Sequence, residues 1–189
     1  MTAPGDTQKR RGRRRRLLLL LLLSLWASIA PAGGVVSPEY KLKAALLYKL
    51  ARFVEWPESV ESRSTFGICV LGRDDFGSAL DALESRKVDH RPIRIHRFVQ
   101  SEAVDERCQI LFISESKRPF LKPILRTLSR YPILTIGDVE KFAERGGMIE
   151  FTRGHKRIGF RINLHQANAA GLKIAAPLLE LSTIVETTP

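Results

Sequence analysis

The stretch FGICVLGRDDFGSALDALE (Phe66–Glu84) changes its hydrophobic period halfway along. Residues 66–71 form an apolar run without polar alternation, as a strand buried on both faces does. Gly72 to Gly77 then mark a turn, and SALDALE continues with helical spacing. Strand, tight corner and helix form the opening unit of a parallel α/β sheet. The two glycines also stand at phosphate-loop spacing, but Lys-Ser/Thr should follow them and Ser78-Ala79 does. Asp74 and Asp75 would repel a phosphate, and no GxGxxG pattern is present. One of these aspartates is better read as the N-cap of the following helix. The stretch is a corner of the fold, not a nucleotide site.

The pattern repeats outward from this corner. Ser37 is an expected N-cap with Pro38 at the first helical position, and Leu42, Leu46, Leu50 and Phe53 form a helical stripe widened by Ala45 and Val54. Lys41, Lys43, Lys49, Arg52 and Glu55 fall on the other side, and Pro57 ends the helix after Trp56. RPIRIHRF (91–98) alternates, with Ile93 and Ile95 opposite Arg94 and His96, as an edge strand does. CQILFIS (108–114) is a second continuous apolar run. RPFLKPILRTLSR (118–130) is helical, with Phe120, Leu121, Ile124, Leu125 and Leu128 inward. PILTIGD (132–138) reads as a strand and VEKFAERG (139–146) as a helix closed by glycine. Residues 147–163 read as two strands around a turn at Arg153-Gly154. Residues 164–185 read as one or two helices, interrupted near Gly171 or Pro177. The expected fold is a single α/β domain: a mostly parallel sheet with helices on both faces and a β-hairpin in the C-terminal half. Right-handed crossovers give the four runs the order 2-1-3-4, with the hairpin on the far edge.

The front of the chain has a different character. Lys9, Arg10, Arg11 and Arg13 to Arg16 form a cationic block, Leu17 to Ile29 are 13 residues without a charge, and Ala30-Pro31-Ala32 offers small residues for cleavage. That is the order of a secretory signal peptide. The apolar stretch is shorter than the ~20 residues a membrane span needs. Residues 1–32 are therefore expected to direct export to the periplasm, with cleavage near Ala32. Residues 33–39 are read as a loose arm and 40–187 as the domain. The signal holds seven basic residues and one acid, leaving 24 basic and 19 acidic residues in the rest, a net +5 of the total +11. That mild, well-mixed charge is no nucleic-acid footprint.

Enzyme signatures are thin. There is no GxSxG elbow, and the four histidines show no metal-ligand spacing, so no metal or cofactor is expected. A phospho-receiver would need an aspartate at the end of its third strand, where Ile113-Ser114-Glu115 stands, and an exported chain meets no ATP pool. Pairs such as Glu39/Glu55 and Asp138/Glu140 read as helix-surface or capping acids, and His96 as solvated.

The two cysteines, Cys69 and Cys108, are an even count in an exported chain, which suggests one disulfide. Two buried thiols are the alternative. Adjacent strands lie about 4.8 Å apart, within reach of a disulfide. The weak point is register, because Cys108 precedes its strand while Cys69 lies midway along its own.

KAALLYKLARFVEWP (43–57), ICVLGRDDFGSALDAL (68–83), CQILFIS (108–114), ILTIGDVEKFAERGGMIEF (133–151) and RIGFRINLHQANAAGLKIAAPLLELSTIV (157–185) resemble, in order, the YfiR-like periplasmic proteins. The resemblance implies a non-enzymatic repressor that binds the periplasmic part of an inner-membrane diguanylate cyclase. It lowers cyclic-di-GMP and biofilm formation, and an outer-membrane lipoprotein can sequester it. Cys69 and Cys108 match a family cysteine pair. A second pair found in some relatives is absent, which removes any redox sensing that depends on it. Phe53 and Trp56 are candidate partner contacts, although Phe53 also continues the core stripe and Trp56 suits a packing role. A homodimer is compatible with the sequence. The rival reading is a periplasmic small-ligand binder, with Gly72, Arg73, Ser114, Glu115, Gly137 and Asp138 gathered at the carboxyl ends of the strands.

Overall fold

In the computed structural model, Ser37 caps the first helix: its Oγ accepts from the Tyr40 N–H at 3.3 Å, and Pro38 opens helix α1 (Pro38–Leu50). Pro38 and Glu39, assigned above to the arm, form its first turn. The structure describes residues 36–154 and 158–187. The signal-peptide reading of residues 1–32 lies outside them.

The buried stripe of α1 is Lys43, Ala44, Leu47 and Leu50, not Leu42, Leu46, Leu50 and Phe53. Leu42 is 45 % exposed and Phe53 37 % exposed. The helix also stops six residues earlier than the stripe suggested. After Ala51 the chain opens into β1 (Val54–Glu55), which pairs antiparallel with β9 (Lys173–Ile174). β-branched Val54 and the restriction that Pro57 places on Trp56 both favour extended backbone here. Helix α2 (Glu58–Glu61) follows and leads into β2 (Phe66–Leu71), all six residues of which are buried.

The corner after β2 forms as expected, but its helix is short. Helix α3 (Ser78–Asp81) passes directly into a 3-10 turn at Ala82–Ser85. Asp74 caps the turn, not the helix: its Oδ1 accepts from the N–H groups of Phe76 and Gly77. Gly77, at φ 47°, occupies the N-cap position itself.

Strands β3 (Lys87–Val88), β4 (Arg91–Phe98), β5 (Ile110–Ile113), β6 (Leu134–Gly137), β7 (Ile149–Arg153), β8 (Ile158–Ile162) and β10 (Thr183–Ile184) complete the main sheet. Its order among the described residues is β10-β8-β7-β6-β5-β2-β4-β3. The centre, β4-β2-β5-β6, has the expected order and is parallel throughout. β7 and β8 form the antiparallel hairpin on the far side; part of its expected turn falls on residues outside those described. Neither β4 nor β8 is the outermost strand, because two-residue strands β3 and β10 lie beyond them.

Helices cover both faces. The inward side of α1 packs with Ile68, Val70, Phe112 and Phe151 in one core. Helix α4 (Leu121–Leu128) packs with Leu71, Leu111, Ile113 and Phe142 in the other. Phe120, expected inward, is 61 % exposed, because it ends a 3-10 turn (Glu115–Phe120) before α4 begins. Residues 139–146 form successive turns, not a helix. Lys141 is left-handed at φ 59°, and the buried carboxylate of Glu150 accepts from the N–H groups of Lys141 and Ala143, drawing donors out of a helical ladder. The C-terminal part divides into α5 (Leu164–Ala169), β9, α6 (Ala176–Glu180) and β10; the interruption falls at Gly171, φ 76°, while Pro177 sits in the first turn of α6 and does not break it.

Candidate functional site

The carboxyl ends of β2, β5 and β6 converge, as the topology requires, but their side chains engage one another. Gly72, at φ 98°, begins the loop after β2; a Cβ there would lie 2.5 Å from Ser116 Oγ and 2.6 Å from Ser114 Oγ. Only glycine lets the two loops approach this closely. The hydroxyls of Ser114 and Ser116 are hydrogen-bonded to each other at 2.7 Å, and Ser116 also accepts from the Arg73 N–H. Arg73 donates to Asp75, and Glu115 pairs with Arg118. At the end of β6 the ring of Phe142 sits between Gly137 and Gly147, where a Cβ would lie 2.6 and 2.1 Å from it.

The charged centre of this end was not anticipated. The Lys43 side chain, 1 % exposed, carries its ammonium 2.5 Å from Asp138 Oδ2 and 2.6 Å from Glu39 Oε1. It lies 4.4 Å above the Tyr40 ring. Tyr40 OH lies 3.3 Å from Asp75 Oδ2 and 3.4 Å from Asp138 Oδ2. Burial, with Asp138 and Asp75 adding to it, pushes the phenol well above its ordinary value, so this hydroxyl stays protonated and acts as a donor. The hydrogen bond from Lys43 holds the Glu39 carboxyl below its usual range, and Arg153 adds to this at 3.1 Å. Asp138 Oδ1 is buried without a hydrogen-bond partner. The first turns of α1 thus clamp onto the rim of the sheet. A signal existed in the sequence: Leu47, left off the expected stripe, lies one turn after Lys43 on the same helix face.

Phe53 is on the surface just beyond α1, its carbonyl accepting from the Ala175 N–H. Trp56 is 5 % exposed and packs edge-on against Phe66 at 5.3 Å. The structure therefore separates the two candidate contacts.

Cys69 and Cys108 form a disulfide with Cα atoms 5.8 Å apart, both side chains buried. The register question has a simple answer. Gly67 and Cys69 lie on one face of β2, and the Arg107 carbonyl crosses the bare Cα of Gly67, where a Cβ would lie 1.8 Å from it. The chain enters over this face, and Cys108 reaches Cys69 from above the sheet.

An open groove of about 500 Å³ lies at the opposite edge, lined by Thr152, Ile158, Gly159, Phe160, Arg161, Leu181 and Thr183. It does not include the rim residues. Among the described residues no group of three or more His, Cys, Asp or Glu is placed to hold a metal, and no helix is long and apolar enough to cross a membrane.

The family model described as YfiR/HmsC-like matches residues 40–183, which include Tyr40, Lys43 and Asp138 of the clamp though not Glu39, both cysteines and every strand of the sheet except the last residue of β10. The chain belongs to the YfiR/HmsC-like family. A similar fold is found in the crystal structure of a conserved domain protein from Vibrio cholerae O1 biovar El Tor strain N16961, with a TM-score of 0.54 at 11 % identity. The match covers 78 % of this chain and 60 % of that one, so this chain spans well under two thirds of that protein's length. The YfiR/HmsC-like family is known for periplasmic regulation of diguanylate cyclase, a role exercised by contact with a protein partner.

Proposed function

We propose that this chain is an exported, non-enzymatic repressor that binds the periplasmic part of an inner-membrane diguanylate cyclase and holds its output down. Cyclic-di-GMP and biofilm formation fall as a result. The family match over 40–183 carries this reading. The state of the strand ends supports it over the small-ligand alternative: Arg73, Ser114, Glu115 and Asp138 are each bonded to neighbouring side chains. Exposed Phe53 is a candidate contact, since aromatic anchors concentrate binding energy at interfaces. An outer-membrane lipoprotein is a candidate competitor for the same repressor.

A clean deletion in the host tests the reading. Cyclic-di-GMP should rise, and the full chain should restore it, while a chain lacking residues 1–32 should remain in the cytoplasm and fail to restore it. An unchanged cyclic-di-GMP level would overturn the cyclase assignment. Normal periplasmic recovery of the truncated chain would overturn the export assignment.

A further inference from the structure

The outward face of α1 has a composition that the core does not explain. Lys41, Leu42, Ala45 and Lys49 point away from the buried stripe, and Arg52 and Phe53 continue the same side just past the helix end. No acidic residue lies on this face: Glu39 turns toward Lys43 and Arg153, and Glu55 lies beyond Phe53, 3.9 Å from Lys173. Lys41, Lys49 and Arg52 have no acidic partner among the described residues. The family-matched clamp fixes the helix under them, so the face is rigid and pre-organised, which lowers the cost of binding.

From this face we infer the chemistry of the partner: an acidic amphipathic helix that lies along α1. The inference rests on the repressor reading and specifies its contact. Leu42 stands near the start of this side and Phe53 just past the end of α1. Ala45 leaves a shallow dip between them. That is the ridge-and-groove relief into which a second helix packs at about 8–10 Å between axes. Three unpaired cations along the ridge call for acids flanking the partner's apolar stripe, where complementary charge speeds encounter and excludes wrong partners. A lipid surface fits less well. Interfacial helices turn their broad apolar face to the membrane, whereas the broad apolar face of α1 is in the core and only Leu42 and Phe53 remain outside as large apolar groups.

The test places the photo-crosslinker benzoylphenylalanine at position 42 of the full chain in its own cells, with position 181, 77 % exposed at the far edge, as control. The adduct from position 42 should map by mass spectrometry to an acidic, helix-periodic segment in the periplasmic part of a membrane protein. Its yield should fall about tenfold in K41E/K49E/R52E, since each reversal turns an attraction into a repulsion. Circular dichroism should show that variant folded, because the three side chains are exposed. Adducts to lipid, to a second copy of this chain or to a non-acidic segment would each overturn the inference, as would no adduct at 42. The deletion experiment separates the two levels: raised cyclic-di-GMP without the adduct sinks only this face, and the adduct with unchanged cyclic-di-GMP sinks only the cyclase assignment.

Discussion

The Lys43 ammonium and the Asp138 carboxylate meet at 2.5 Å across 95 residues of sequence, with 1 % and 9 % of their side chains exposed. Two charges held this far from water depend on each other. Removing one leaves the other buried and uncompensated, which costs about 3–5 kcal/mol. K43M should therefore lower stability by about that amount in urea unfolding at neutral pH. K43M/D138L should recover most of the loss, because both desolvation penalties disappear together. A double variant no more stable than K43M would show that the pair does not act as a unit.

Gly67 is the crossing point beneath Arg107. In G67A the new methyl would meet a backbone carbonyl, not a flexible side-chain end, so the segment 105–108 must lift away. We expect a loss of about 2–3 kcal/mol, the upper part of the usual range for overfilling a core site. Alkylation of the unreduced, denatured protein should show free thiol in part of the population. Complete disulfide formation with unchanged stability would contradict the crossing.

The disulfide closes 39 residues of chain. The chain-entropy model assigns such a loop about 3–4 kcal/mol. C69A/C108A, chosen to leave no lone thiol, should lose a comparable amount from its denaturant-unfolding free energy. The unreduced protein should add no alkyl groups under denaturing conditions; two added groups would refute the bond in solution.

His96 stands beside Cys69 in the β2–β4 register. Burial lowers its imidazole below the ordinary 6.5, and Arg107 adds to the effect. The folded protein thus binds the proton less readily than the unfolded chain. Stability from this group is complete above about 6.5 and is lost as pH falls through the depressed folded value. H96Q should flatten the stability profile just below pH 6.5 and leave it unchanged at pH 8. An identical slope in the variant would assign the loss to other groups.

The centre of the sheet was legible because β2 and β5 are buried on both faces, and continuous apolar runs leave few other placements. The short strands were not. β1, β3, β9 and β10 have two residues each, too few to show a period. The stripe of α1 misled because its buried face contains a lysine whose charge is answered by Glu39 on the same helix and by Asp138, 95 residues away. The turns at 139–146 escaped for a similar reason, since Glu150 takes the hydrogen bonds a helix would have used. Local pattern reports local bonding, and each miss involves a partner far away or a competing side chain.

The pairing of β1 with β9 also sets an order of events. Val54 finds Ile174, and Leu47 and Leu50 share a core with Leu172 and Leu178, so α1 is closed over by residues more than 110 positions later in the sequence. Contacts this distant in sequence form late, after the closure entropy of the long intervening loop has been met. A chain emerging N-terminus first therefore completes the packing of α1 only after residues 172–178 have followed. The fold should lock only once residues 172–178 are free to pack on that helix.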